Sequence, residues 1–157
     1  MDWLYIEEKE MSVAIKPICE ENFLDAFRLR LADGQERFVS HPIRSLAQAY
    51  VYRDQCRPFG IYCGERMVGY VLVIYDYDVP EYDIWHMMID TAEQGRGYGR
   101  AALGLVLDYI AKAPFGDCKR VALTCNRENA SRLYRSMGFE VSRNADDGEL
   151  EMTLNRN

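Results

Sequence analysis

The stretch Gln94-Gly95-Arg96-Gly97-Tyr98-Gly99-Arg100 lies at the start of a helical pattern that runs from Tyr98 to Ala113. Its alternating glycines remove side chains from a turn, so backbone N–H groups can converge on an anion at the mouth of a helix. Two arginines add positive charge to the same loop. The stretch therefore predicts a pyrophosphate-binding loop, and with it a cofactor that carries phosphate.

Two other interpretations of this loop are weaker. Residues 97–102 also fit the G-x-G-x-x-A form of a dinucleotide-binding fingerprint. In that motif, however, the first glycine follows its strand at once and an acidic residue ends the next strand. Here residues 91–94 intervene, and Asp117 precedes the next predicted strand. A turn without a ligand would not require three glycines and two arginines in seven residues.

The composition is that of one globular domain. The chain has 157 residues, of which 48% are hydrophobic and 28% are charged. No apolar run approaches the roughly 20 residues of a membrane span, and the first residues lack the basic and apolar regions of a secretory signal. We expect a tail over residues 1–10, a domain over residues 11–157, and a cytoplasmic location.

Charge and cysteine content argue against several kinds of partner. The net charge of −6 argues against a nucleic-acid partner, which would usually meet a basic face, and no membrane partner is expected. The five cysteines form no C-x-x-C pair, and the two histidines are far apart in the sequence. These features predict free thiols and no metal site. A homodimer is left open.

Periodicity along the chain predicts a mixed α/β domain. The predicted strands cover residues 13–18, 59–63, 67–77, 82–90, 120–125, 140–143 and 149–154. The predicted helices cover residues 20–31, 43–53, 98–113 and 127–137. The resulting order is β-α-α-β-β-β-α-β-α-β-β.

A second motif follows the strand that begins at Arg120. Residues 126–139 fit the pattern N-x-x-A-x-x-L/F-Y-x-x-x-G-F, with Asn126 or Asn129 at its start and Tyr134 at its tyrosine. Gln94, Gly97 and Gly99 fit the pattern Q/R-x-x-G-x-G/A. With both motifs at this separation, the chain resembles the GNAT N-acetyltransferase family from Met11 onward. Residues 57–62, 67–70 and 85–90 resemble its bacterial polyamine branch, the spermine/spermidine or diamine acetyltransferases.

The resemblance implies a fold and a cosubstrate. The fold would be a single α/β (α+β) domain, with a mixed, mostly antiparallel sheet of about seven strands and helices on both faces. The cosubstrate would be acetyl-CoA, and the enzyme an acyltransferase. The residues implied to bind it are Met87, Met88, Ile89, Gln94, Gly95, Arg96, Gly97, Tyr98, Gly99, Arg100, Asn126 and Asn129.

The resemblance also implies direct attack of the amine in a ternary complex, with Tyr134 donating its phenolic proton to the departing sulfur. A backbone N–H among Met87, Met88 and Ile89, which would pair with the pantetheine arm, is implied to polarise the thioester carbonyl. Spacing alone leaves plainer alternatives open. Tyr134 lies on an apolar stripe and could be a core residue, and Asn126 could cap the following helix with Glu128 in its first turn. A covalent route through Cys125 is the chemical competitor, but a buried structural thiol is the simpler interpretation.

The general base is less clearly marked. Many family members carry a glutamate where this chain has Trp85. Strict strand alternation predicts Asp83, Trp85 and Met87 on one face, with Ile84, His86 and Met88 on the other. Asp83 is therefore the first candidate for the base, acting directly or through water. His86 is the second, although a satisfied core or edge histidine is the more usual situation.

The predicted acceptor is a small polyamine. Residues 75–83 interleave carboxylates with tyrosines, which could hold ammonium groups through ion pairs and cation–π contacts. A solvated hairpin is the plain alternative. Two other functions remain: acetylation of a peptide N-terminus, an amino acid or an aminoglycoside, and acyl-CoA binding without turnover.

Overall fold

The computed structural model describes residues 12–37, 39–126, 130–145 and 148–156. The strands are β1 Val13–Pro17, β2 Cys56–Cys63, β3 Arg66–Asp76, β4 Glu81–Ile89, β5 Arg120–Asn126, β6 Glu140–Asn144 and β7 Glu149–Asn155. The α-helices are α1 Phe23–Phe27, α2 Pro42–Val51, α3 Tyr98–Ala111 and α4 Ser131–Ser136. The predicted order of strands and helices is confirmed. The predicted tail and the start of the domain at Met11 lie outside the described residues.

The strands form one seven-stranded sheet in the order β1-β2-β3-β4-β5-β7-β6. Neighbouring strands are antiparallel except β4 and β5, which are parallel. A parallel pair needs a crossover connection, and here it contains the glycine loop and α3. The glycine loop therefore starts at the end of β4, next to the parallel β4–β5 pair that joins the two antiparallel parts of the sheet.

Helices cover both faces of the sheet. On one face α3 and Tyr134 of α4 pack on Val121, Leu123 and Met152 in the larger core. On the other face, Ala26 of α1 and Ala49 of α2 belong to a smaller core. We call these the α3 face and the α2 face. Among the described residues no helix is long and apolar enough to cross a membrane.

The largest difference from the predicted boundaries is in α1, which spans five residues rather than the predicted helix over residues 20–31. The chain leaves the helix because tertiary hydrogen bonds hold the backbone of Arg30. Its N–H donates to the Asp90 carboxylate at 2.8 Å, and its carbonyl accepts from the Thr91 N–H at 2.9 Å. Helical periodicity cannot anticipate bonds to a segment 60 residues away.

Candidate active site

A β-bulge in β4 changes which side chains share a face. Pairing with β3 passes from Leu72↔His86 to Val73↔Ile84, so Trp85 is the extra residue. An unpaired residue of this kind bends the strand and breaks its alternation. The prediction that Asp83, Trp85 and Met87 share one face is therefore wrong.

The observed faces follow from what each side chain contacts. Ile84 and Met87 belong to the core on the α3 face. Trp85 and His86 are consecutive, yet both lie toward α2: Trp85 packs on the smaller core, and His86 bonds to Ser45 of α2. Their rings stack with centroids 4.9 Å apart.

The bulge coincides with the place where β4 and β5 separate. Their parallel pairing runs from Tyr82↔Val121 to Ile84↔Leu123, although both strands continue further. A cavity of about 440 Å³ lies at this opening. Residues of both faces of the sheet line the cavity: Met87, Cys125 and Tyr134 from the α3 face, and Trp85 and His86 from the α2 face.

The connection between α1 and α2 forms another wall. The cavity-lining residues of this connection are Ala32, Asp33, Gly34, Gln35 and Val39. Gln35 is tied to the cofactor loop, because its Oε1 lies 3.5 Å from Gln94 Nε2. Sequence analysis did not assign this connection to the site, and its residues carry no local signal beyond ordinary loop composition.

Tyr134 is buried at the cavity, with 8% of its surface exposed. Its ring contacts Phe139 edge-on, with centroids 5.9 Å apart. Its hydroxyl makes no hydrogen bond to another described residue, and burial raises its pKa. Tyr134 is thus both a core residue and a cavity residue, and its phenol keeps its proton at neutral pH.

The cofactor loop has the backbone that its glycines suggest. Gly95 and Gly97 have φ of 79° and 84°, a left-handed conformation that other residues adopt at a cost. Gly97 is the N-cap of α3, which is 14 residues long. The first N–H groups of such a helix have no partner within it, and the residues that precede Tyr98 are exposed. The arrangement suits a pyrophosphate.

The loop's polar side chains make contacts within the protein. Arg96 forms an ion pair with Glu93 at 3.2 Å, and Gln94 Nε2 donates to the Ile89 carbonyl at 3.1 Å. Arg100 donates to Ser136 Oγ at 2.7 Å and so joins α3 to α4. Tyr98 is buried in the core, which leaves its backbone N–H as its means of contact with a ligand.

The remaining cofactor-binding candidates are divided between the two faces. Met87 lines the cavity, Ile89 packs on the α3-face core, and Met88 is buried in the smaller core. Asn126 also lines the cavity. It ends β5 rather than capping the next helix, because α4 begins at Ser131 after Ala130. Asn129 and Glu128 lie outside the described residues.

Asp83 lies on the α2 face and is not among the described residues that line the cavity. It pairs with Ile74 of the smaller core and with Ala122. Burial raises its pKa to about 7, and the negative charges of Glu81 and Glu151 add to the shift. Asp83 therefore gains and loses a proton near neutral pH. Glu151 was missed because only the pairing of β5 with β7 brings it near.

His86 is held by two residues that sequence analysis missed. Its Nδ1 lies 2.6 Å from Ser45 Oγ, which lies 2.8 Å from Tyr70 Oη. Burial lowers the pKa of His86 to about 4, with a contribution from the charge of Arg44. The imidazole is therefore neutral at pH 7. Ser45 shares the buried helical spacing of Pro42 and Ala49, a signal that could have identified it.

The acidic and aromatic segment 75–83 is separate from the wall of this cavity. None of its residues is among the described residues that line the cavity. The Tyr75 hydroxyl donates to the Asp117 carbonyl and the Tyr82 hydroxyl to the Gly116 carbonyl, both at 2.8 Å. These two hydrogen bonds connect the segment before β5 to the hairpin formed by β3 and β4. Tyr77 and Val79 of the same hairpin are exposed.

Cys125 lines the cavity but is poorly suited to covalent catalysis. It is 6% exposed, and its thiol lies 3.6 Å from the Met152 sulfur. Burial raises the pKa of the thiol to about 11, whereas nucleophilic cysteines need a lowered pKa. The interpretation as a structural thiol agrees with this environment.

Comparison with known proteins identifies the family. A model of the acetyltransferase (GNAT) family matches residues 23–139, which is more than half of the chain. The chain belongs to the GNAT acetyltransferase family. It is thus an N-acetyltransferase, acetyl-CoA is its cosubstrate, and the resemblance drawn from the two sequence motifs is confirmed.

Individual relatives agree with this assignment. A spermine/spermidine N(1)-acetyltransferase of Bacillus subtilis (strain 168) is 27% identical, over 90% of this chain and 97% of the relative. An acetyltransferase from Thermus thermophilus has a TM-score of 0.71 at 18% identity, over 93% of this chain and 98% of its own. Spermidine N-acetyltransferase from Vibrio cholerae, solved with CoA and spermine, has a TM-score of 0.66 at 17% identity, over 91% and 95%. At these identities the solved structures support the fold.

Proposed function

We propose that this GNAT enzyme acetylates a primary amine of a small polyamine by direct attack in a ternary complex. One observation carries the proposal: the cavity is lined from both faces of the sheet, by Tyr134 on the α3 face and Trp85 on the α2 face. A thioester entering from one face and an amine from the other would meet at the opening between β4 and β5. The relative named a spermine/spermidine N(1)-acetyltransferase supports the choice of amine.

The glycine loop would hold the diphosphate of the cosubstrate. Its backbone N–H groups at residues 95–100 stand at the positive end of α3. Arg96 is half-exposed in its ion pair with Glu93, so it can turn toward a phosphate. The separated edge of β4 at Met87 to Ile89 would pair with the pantetheine arm, and Asn126 and Asn129 would line its thiol end.

Proton transfer would use two groups. Tyr134 would protonate the departing sulfur, since its hydroxyl holds its proton and stands in the cavity wall. Asp83 would take the proton from the amine through intervening water, because a pKa of about 7 matches a base that works near neutral pH. Trp85 shares the α2 face with Asp83 and lies between Asp83 and Met87 along β4.

Replacing Asp83 with asparagine tests the base. We expect kcat/KM at pH 8 to fall about tenfold or more, and the step near pH 7 in the wild-type profile to disappear. The measurement is the pH dependence of CoA release between pH 5.5 and 9. A profile that keeps its step in the variant would assign the titration to another group.

The same variant should change how stability depends on pH. The pKa of Asp83 is raised on folding, from 3.8 to about 7. Its contribution to stability is therefore complete below about pH 4 and is lost as the pH rises through about 7. Urea unfolding should show Asp83→Asn gaining stability relative to wild type between pH 5 and pH 8. If the stability difference between Asp83→Asn and the wild type did not change with pH, the pKa of Asp83 would be ordinary.

A panel of amines tests the substrate. If the proposal is right, kcat/KM for spermidine and spermine will exceed that for amino acids, peptide N-termini and aminoglycosides by at least about 10-fold, a difference of about 1.4 kcal/mol. A second candidate, an amine with fewer charges, is favoured by the cavity itself, since Asp33 is the one carboxylate among its described lining residues. If the chain binds acetyl-CoA but produces no free CoA with any amine, the result would instead indicate a non-catalytic acyl-CoA-binding module.

The location and assembly are also proposals. Five free thiols suit a reducing cytoplasm. A homodimer stays a prediction, which light scattering on the purified chain would test.

A further inference from the structure

A buried hydrogen-bonded chain connects three elements behind the cavity. It runs from Tyr70 Oη on β3 to Ser45 Oγ on α2 at 2.8 Å, and on to His86 Nδ1 on β4 at 2.6 Å. Tyr70 and Ser45 are fully buried, and His86 is 8% exposed. Both distances are those of well-formed hydrogen bonds.

The protons in this chain can be assigned by counting donors and acceptors. Ser45 is the hydrogen-bond partner of the Tyr70 hydroxyl among the described residues. The phenolic proton must therefore go to Ser45, because otherwise a buried donor would be left without an acceptor. Ser45 then donates its own proton to His86 Nδ1. A neutral imidazole that accepts at Nδ1 carries its proton on Nε2.

The second ring nitrogen of His86 is accessible at a residue that lines the cavity. His86 is one of the cavity-lining residues, and its ring has no hydrogen-bond partner besides Ser45 in the described part of the chain. Within that part, Gln48 Oε1 is the one buried side-chain atom without a partner, so Nε2 is accessible. The N–H bond at Nε2 therefore presents a donor to whatever occupies the cavity.

We infer that His86 is a fixed, neutral hydrogen-bond donor to the thioester oxygen, and that Ser45 and Tyr70 are the positioning residues that set its tautomer. The inference rests on the proposed acetyl transfer. When the amine nitrogen bonds to the carbonyl carbon, an electron pair moves onto the carbonyl oxygen, and the Nε2–H group donates to this oxyanion without losing its proton. The C–S bond then breaks, the C=O bond re-forms, and the sulfur takes the proton of Tyr134.

This role differs from that of a general base. A base at Nε2 would need a free lone pair there, but the hydrogen-bonded chain already places a proton on that atom. A second proton would create a buried cation in an environment that lowers the pKa of the ring. The amine proton therefore goes to Asp83 through intervening water, as proposed above. Preorganised neutral donors of this kind stabilise oxyanions without reorganisation.

Nitrogen-15 NMR of the substrate-free protein tests the tautomer directly. The chain has two histidines, and His41 supplies an internal reference. His41 Nδ1 accepts from the Ile43 N–H at 3.1 Å, so its proton is on Nε2, which lies 2.9 Å from the Leu29 carbonyl. We expect the His86 ring to give the Nε2–H pattern at pH 7. An Nδ1–H tautomer or an imidazolium at His86 would overturn the inference.

Kinetics of three variants tests the role. His86→Ala should lower kcat roughly 10²-fold, with the KM for acetyl-CoA within about twofold. His86→Gln keeps an N–H donor but cannot take up a proton near pH 7, so it should recover about tenfold of that loss. Ser45→Ala should lower kcat about tenfold, because the ring is then free to change tautomer and orientation.

The outcomes separate this inference from the proposed substrate. The kinetics use whichever amine the panel finds to be turned over, and the NMR experiment needs none. Equal kcat for His86→Gln and His86→Ala would contradict the donor role, as would wild-type kcat in His86→Ala. Thermal melting and CoA calorimetry show whether each variant is folded. If a variant is not folded, the tautomer of His86 in the wild-type protein decides whether the inference holds.

Discussion

Replacing Tyr134 with phenylalanine should lower kcat by roughly 10³-fold while leaving the affinity for acetyl-CoA nearly unchanged. The substitution removes one hydroxyl from a buried ring that still packs against Phe139. The hydroxyl has no hydrogen bond to another described residue, so its loss leaves no buried partner unsatisfied there. The fold should therefore survive, and the departing thiolate would lack its proton donor. Stopped-flow measurement of CoA release, together with calorimetry of acetyl-CoA binding, gives both quantities.

Tyr109→Phe is the matched control for this experiment. Tyr109 lies on α3, packs edge-on against Phe59 at 4.9 Å, and is outside the described cavity wall. The kcat of the Tyr109→Phe variant should equal that of the wild type. If Tyr134→Phe turned over at the wild-type rate in a protein that binds acetyl-CoA, the proton donor would have to be another group or solvent.

Gly97→Asp should weaken CoA binding by roughly 10²-fold or more. The position has a φ of 84°, which costs a residue with a side chain about 1–2 kcal/mol. The added carboxylate would also stand at the helix mouth where the diphosphate is proposed to lie, and like charges there add a further penalty of similar size. The conformational cost lowers affinity because the substituted loop would relax when free and would have to regain the left-handed conformation to bind the diphosphate. Since 1.4 kcal/mol is tenfold in affinity, the two effects together give the expected change, which calorimetry measures.

The salt dependence and two alanine variants separate the effect of the added charge from the conformational cost at Gly97. The charge component should shrink at high ionic strength, whereas the same loss in Gly97→Ala would be steric and conformational. Gly104 lies within the same helix, and a Cβ added there would contact nothing within 4 Å. Gly104→Ala should leave CoA affinity unchanged and raise stability by roughly 0.5–1 kcal/mol. Wild-type affinity in Gly97→Asp would mean that the diphosphate binds elsewhere.

Local patterns determined much of this protein. Alternating and helical periodicities predicted the observed order of strands and helices, because burial of one face imposes a period on each element. The alternating glycines predicted a turn before α3 whose backbone could approach an anion, and Gly95 and Gly97 have the left-handed backbone that glycine adopts without strain. The second motif placed Tyr134 on a helix beside β5, as observed.

What the sequence could not determine depends on partners far along the chain. The bulge at Trp85 arises from pairing with Val73 and Leu72, so strict alternation assigned the faces of β4 wrongly. Tyr75 and Tyr82 turned to the loop before β5, because Asp117 and Gly116 offer them backbone carbonyls.

The candidate site shows the same division. Its loop and its tyrosine could be recognised from nearby residues, because glycine conformation and helical spacing are local properties. The proton chain through Tyr70, Ser45 and His86 joins three elements, and the opening beneath it exists because β4 and β5 part after Ile84. Hydrogen bonds and strand separation of this kind are set by distances in space, and packing alone decides them.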